Sequence, residues 1–167
     1  DAVRIFTAEN SGKRQAITAE MTIKKAPNSK PGYMVLFGTG KYVSAADPGN
    51  KDVQSLYGVW DENIATGTLN ATRTDLVAYT FGALITANNT RASQQQAAVN
   101  SGKTWYATTG KKGWMIDLTC TGCAAGERFL DKPLLNGPIA YFLSHVPSDD
   151  PCTPSGNGWV TALDPNT

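Results

Sequence analysis

The sequence predicts an all-β protein, and three observations carry that prediction. Sixteen glycines and nine prolines punctuate 167 residues, a density that marks frequent turns. Short runs rich in Val, Ile, Thr, Tyr and Trp lie between those turns, with few helical patterns among them. The third observation is a repeated strand phrase. Gly113-Trp114-Met115-Ile116-Asp117-Leu118 returns as Gly158-Trp159-Val160-Thr161-Ala162-Leu163-Asp164, with the tryptophans 159 − 114 = 45 residues apart. A repeat at this period, with short strands between, is the mark of a β-propeller blade.

Taken in order, the first strand candidate is 3–6. The turn Ser11-Gly12-Lys13 leads into 15–24, where Ile17, Ala19, Met21 and Ile23 alternate with polar residues. That period of two predicts a strand with one apolar face. Tyr33-Met34-Val35-Leu36-Phe37 is an unbroken apolar run of strand length between glycines, which predicts a strand buried on both faces. Residues 47–52 form a Pro/Gly/Asn loop, and 54–61 is the next strand. Residues 75–86 read as one long strand or two, with Gly82 at a bend. Residues 86–101 are polar and contain three consecutive glutamines. They read as an insertion on the rim of the fold, with Ser93 capping a short helix through Val99. Strands follow at 103–108, at the Trp114 phrase, at 127–131 and at 138–146, and the Trp159 phrase closes the series.

The interval from Trp60 to Trp114 is 114 − 60 = 54 residues, and the polar insertion absorbs its excess over 45. On this reading the phrases containing Trp60, Trp114 and Trp159 mark three successive blades. At ~40–45 residues per blade the chain supplies three to four, fewer than the roughly four to eight of a closed propeller. The expectation is one propeller-type domain over 1–167 that is the C-terminal portion of a larger propeller.

Fifteen Lys and Arg against 14 Asp and Glu leave a net charge of +1, which gives no argument for nucleic acid or an anionic membrane as a partner, and none is expected. No apolar run approaches the ~20 residues of a membrane helix.

Several constellations bear on chemistry. Cys120-Thr121-Gly122-Cys123, Cys152 and the sole histidine, His145, have the ligand count of a zinc site. Zinc ribbons, however, show two paired knuckles, and here there is one. A redox C-x-x-C belongs at a helix start, and this one lies between strands. A structural disulfide is the preferred reading, which makes Cys120, Cys123 and Cys152 its candidates. His145 ends an apolar strand and reads as a rim or half-buried structural residue. Asp149-Asp150 before proline is ordinary turn chemistry. Glu127-Arg128 reads as an ion pair on a strand surface, where it contributes little. Trp60, Trp114 and Trp159 read as structural aromatics, while Trp105 and Tyr106 remain open as a sugar-stacking platform.

Six phrases, read in order, carry a resemblance. They are Ile17-Thr18-Ala19, Val35-Leu36-Phe37-Gly38-Thr39-Gly40-Lys41-Tyr42, Gln54-Ser55-Leu56-Tyr57-Gly58-Val59-Trp60-Asp61, Gly113-Trp114-Met115-Ile116-Asp117-Leu118, Gly126-Glu127-Arg128, and Asp150-Pro151-Cys152 followed by Gly158-Trp159. The set resembles the C-terminal propeller of the PilC/PilY family of type IV pilus tip-associated proteins. The resemblance implies a modified β-propeller, exported through the periplasm to the bacterial surface or pilus tip. It implies a non-enzymatic role in pilus assembly, retraction control and adhesion. The implied partners are pilus subunits or minor pilins, and a host-surface protein or glycan. The family's calcium loop needs alternating Asp residues; no Asp-x-Asp-x-Asp run occurs here, so no cofactor is expected in this segment. The family-like Asp-Pro-Cys phrase favours Cys152 pairing with Cys120 or Cys123. Two alternatives stand beside this reading: a free-standing carbohydrate-binding β module, and a quinoprotein-like propeller enzyme.

Overall fold

The structure is a computed structural model describing residues 4–62, 70–95, 104–148, 150 and 156–166. Its strands are β1 (Glu9–Asn10), β2 (Lys13–Arg14), β3 (Thr22–Lys25), β4 (Tyr33–Gly38), β5 (Ser55–Asp61), β6 (Val77–Tyr79), β7 (Gly113–Asp117), β8 (Arg128–Phe129), β9 (Leu134–Asn136), β10 (Ile139–Val146) and β11 (Asn157–Leu163).

Two sheets do most of the work. One has five strands in the order β3-β4-β5-β7-β6. All its pairings are antiparallel except β6 with β7. The other runs β11-β10-β8, with β9 also paired to β10. The Trp60 and Trp114 phrases therefore do not mark successive blades. β5 and β7 are hydrogen-bonded neighbours in one sheet, with Gly58 opposite Trp114.

Alternation along the strands explains how the sheets stack. Met34, Leu36, Leu56, Trp114 and Ile116 point to one side of the five-stranded sheet and meet Phe129, Ala140, Phe142 and Leu163 of the second sheet. Val35, Phe37, Tyr57 and Val59 point to the other side, where Ile5, Phe6, Ala8 and Leu76 cover them. A sheet covered on both faces needs apolar residues at consecutive positions, and this accounts for the unbroken run in β4. Gly58 makes room for the Trp114 ring. A Cβ at residue 58 would sit 2.4 Å from Trp114 Nε1, so only glycine allows this cross-strand packing.

Three local expectations give way. The alternating stretch 15–24 is a strand only from Thr22, and its apolar face is open: Met21 is 46% and Ile23 62% exposed. Residues 105–107 form a 3-10 turn, not a strand. That turn buries Trp105 completely against Trp60, with ring centroids 5.4 Å apart, and Trp105 Nε1 donates to the Asn166 carbonyl at 2.7 Å. Core packing outweighs the local strand pattern, and Trp105 is removed as a sugar-stacking platform. Residues 75–86 do not continue as a long strand either; β6 is short, and two isolated bridges follow, Phe81 with Ser93 and Ile85 with Thr90.

Candidate functional site

The features that organise the loops are two buried arginines. Arg128, on β8, is 3% exposed. Its Nε donates to the Gly126 carbonyl at 3.0 Å, Nη1 to the carbonyls of Lys41 (3.0 Å) and Asp47 (2.6 Å), and Nη2 to that of Asn50 (2.7 Å). The planar fork of guanidinium suits such divergent acceptors. One side chain thus pins loop 41–50 to the second sheet.

Asp47 fastens the same loop from within. Its Oδ2 accepts from the backbone N–H of Val43 at 2.9 Å and of Ser44 at 2.8 Å, and its Oδ1 pairs with Lys41 Nζ at 3.0 Å. The Val43 N–H first, and then Lys41, hold the carboxyl well below the usual carboxylate range. A depressed folded-state pKa means this stabilisation is fully present above the unfolded value, ~3.9, and is lost as pH falls through the folded one. Amide exchange at Val43 and Ser44 is therefore expected to be equally protected at neutral and mildly acidic pH, and to quicken only below about pH 4, relative to intrinsic rates. Asp47→Ala is expected to remove the protection at every pH. Protection that survives in that variant would show the carboxylate is not what holds the loop.

Arg91 fastens the second loop region. Arg91 and Glu127 side chains are 2% and 0% exposed and form a bidentate pair at 2.6 and 2.5 Å. Ser144 Oγ on β10 donates to the same carboxylate at 2.5 Å. The guanidinium is sandwiched between the rings of Phe81 and Trp159, 4.0 and 4.4 Å from their centroids, a desolvated cation–π arrangement. The expected surface ion pair of Glu127 with Arg128 is thereby corrected. Adjacent residues on a strand point to opposite faces, so Glu127 meets Arg91 while Arg128 meets the 41–50 loop. Of the polar stretch 86–101 the structure describes 86–95, and this part is no free rim insertion, because Arg91 anchors it and Gln95 is buried. The expected helix from Ser93 to Val99 lies largely outside the described residues; Ser93 itself is bridged to Phe81.

The remaining candidates separate. Cys120 and Cys123 form a disulfide with each other, not with Cys152, which lies outside the described residues. Oxidised sulfurs are poor zinc ligands, so the set Cys120, Cys123, His145 and Cys152 loses two of its four ligands. His145 is half-buried on β10, edge-on to Tyr42 at 6.0 Å. Trp60 and Trp114 are in the core, whereas Trp159 is half-buried over Arg91. Asp150 donates its N–H to Ser148 Oγ at 3.2 Å, while Asp149 is outside the described residues. Arg91 and Arg128 were not legible as site residues. An arginine in a polar stretch, or beside a glutamate, carries no sequence signal of burial.

The fold and its pinned loops define a class: an all-β scaffold that holds loops in place from a double-sheet core. The sequence model of the PilY1 beta-propeller domain matches residues 3–100. The chain is 32% identical over 171 aligned positions to the type IV pilus biogenesis factor PilY1 of Pseudomonas aeruginosa, a match covering 95% of this chain and 14% of that protein. It is 33% identical over 165 positions to a PilY1 homolog of Xylella fastidiosa, covering 97% and 10%. The crystal structure of the Pseudomonas aeruginosa PilY1 C-terminal domain superposes with a TM-score of 0.74 at 28% identity, over 98% of this chain and 34% of that one. The chain belongs to the PilY1 family of type IV pilus biogenesis factors. It spans about a seventh or less of the length of these curated relatives. Among the described residues no helix is long and apolar enough to cross a membrane.

Proposed function

We propose that this chain is a non-enzymatic sector of a type IV pilus tip module that supports pilus assembly, retraction control and surface attachment. Its partners on this reading are pilus subunits or minor pilins, with a host-surface protein or glycan as the adhesive target. Its place is the bacterial cell surface, reached through the periplasm. Family membership is the observation that carries the reading. The rigid mounting of loop 41–50 and segment 89–95 supports a loop-presenting mechanism, and a disulfide suits an oxidising compartment. The reading assigns no calcium to this segment.

We further propose that the chain is one portion of a larger propeller. Large apolar side chains left open on two sheet faces support this: Ile23 on β3, and Leu143 opposite Val160 on β10 and β11, the last 70% exposed. Flanking blades would cover such faces.

The test is capture of purified pilins and minor pilins by the folded chain. Replacing the whole of 86–101 would also delete Arg91, so the loop must be altered only at its exposed tip. Glutamate at the exposed positions Ala45, Ala46 and Ala87 is expected to abolish capture while leaving thermal unfolding unchanged. Absence of any pilin binding by folded wild-type chain would move the activity to other parts of the protein.

A further inference from the structure

Lys24 lies on β3, an edge strand of the five-stranded sheet, opposite Met34 of β4. Residues opposite each other on paired strands share a face, and Met34 belongs to the core between the two sheets. The lysine stem therefore runs along the inner face, half-buried. Its amine ends against the segment that follows β11, where Lys24 Nζ donates to Asn166 Oδ1 at 2.5 Å. The two residues stand 142 positions apart in the chain.

The receiving segment is held from several sides. The buried indoles of Trp105 and Trp114 donate to the carbonyls of Asn166 at 2.7 Å and of Pro165 at 3.2 Å. Gln95 Nε2 donates to the Asp164 carbonyl at 3.3 Å, and Asp164 Oδ1 accepts the Asn166 backbone N–H at 2.9 Å. Buried donors thus fix the backbone that carries the carboxamide. Burial pushes the Lys24 amine below its ordinary value, and the Asp164 carboxylate opposes that shift without cancelling it. More of this amine is unprotonated, and so nucleophilic, than on an exposed lysine.

The geometry points to a covalent cross-link that the chain makes by itself, an isopeptide bond between Lys24 Nζ and Asn166 Cγ. The Cγ atom is one covalent bond beyond the oxygen that Lys24 already contacts. In the step, the Nζ lone pair adds to Cγ and the bond from Cγ to the carboxamide nitrogen breaks. Nζ gives up two of the three protons of its ammonium form, the departing nitrogen takes both, and it leaves as ammonium. Atoms and charge balance, nothing is oxidised or reduced, and no co-reactant is needed. The Asp164 carboxylate, whose charge acts on Lys24, carries the protons between the two nitrogens. Holding both groups in place supplies the effective concentration that amide aminolysis requires, ~10⁵–10⁸ M in well-oriented intramolecular reactions. The bond fastens β3, whose other apolar face is open, to the segment after β11. It closes a far longer loop than the disulfide, whose cysteines are three positions apart, and so constrains the unfolded chain more. This inference goes beyond the pilus reading and does not depend on it.

The experiment is intact-mass spectrometry of the folded, reduced chain, followed by peptide mapping. The expected mass is below that of the sequence by one ammonia, with a branched peptide joining residues 24 and 166. Lys24→Arg keeps the charge and the hydrogen bond but removes the nucleophile, and is expected to restore the sequence mass. Asn166→Ala is expected to do the same. Asp164→Asn keeps an oxygen for the Asn166 N–H and cannot carry the proton; mass followed over time in freshly made protein is expected to show the reaction slowed about a hundredfold. An asparagine that precedes glycine, such as Asn136, can also lose ammonia by closing to a succinimide, but that loss persists in Lys24→Arg and yields no branched peptide. A folded wild-type chain at its sequence mass, an ammonia loss that survives in Lys24→Arg, or a map without the branched peptide would each overturn the proposal. An Asp164→Asn chain that reacts as fast as wild type would overturn the part given to Asp164.

Discussion

Arg91→Met is expected to destabilise the protein by roughly 3–5 kcal/mol, because it leaves a wholly buried carboxylate without its cation. Glu127 is 1% exposed and is held by Arg91 and Ser144. Methionine keeps much of the volume between the Phe81 and Trp159 rings, so lost packing adds little and the charge dominates. The companion variant Arg91→Met/Glu127→Leu removes both charges and is expected to recover most of that loss. Urea unfolding at constant m-value measures both. A single variant losing under about 1 kcal/mol, or a double variant no better than the single, would show that the pair does not carry this stability. The same side chain seats segment 89–95 against Trp159 of β11, so the loss is expected to loosen that segment as well.

Arg128→Lys is expected to cost about 2–4 kcal/mol and to loosen one loop selectively. A lysine carries the charge but cannot reach carbonyls of Gly126, Lys41, Asp47 and Asn50 together. Those of its acceptors that stay buried then lack a donor, while the exposed part of the loop regains water. Hydrogen exchange is expected to quicken across 41–50 while β4 and β5 keep their protection. Uniform quickening throughout the core would assign Arg128 a global role instead. Unchanged exchange in the loop would remove it as the pin.

The contrast between β4 and residues 15–24 shows where sequence reading holds and where it stops. The unbroken apolar run 33–37 predicts burial on both faces, and Met34 to Phe37 are buried on β4, with Tyr33 at its start 44% exposed. The alternation in 15–24 is equally regular, yet Met21 and Ile23 face outward. Periodicity reports that one face is apolar; it does not report what covers that face. The 45-residue repeat has the same limit. It located strand phrases correctly, but whether two such phrases head separate sheets or pair within one depends on long-range hydrogen bonding, and β5 pairs with β7.

Composition, turn residues and strand phrases by themselves determined the all-β class, the resemblance to a pilus protein family and the strands β4, β5, β7, β10 and β11, because these rest on local preferences and on burial by pattern. Only the tertiary structure decided the partners of charged and sulfur groups: Glu127 with Arg91 rather than Arg128, and Cys120 with Cys123 rather than Cys152. The physical reason is that charge pairing acts through space. Arg91 and Glu127 lie 36 residues apart in the chain, and nothing in either neighbourhood distinguishes a buried arginine from a solvated one.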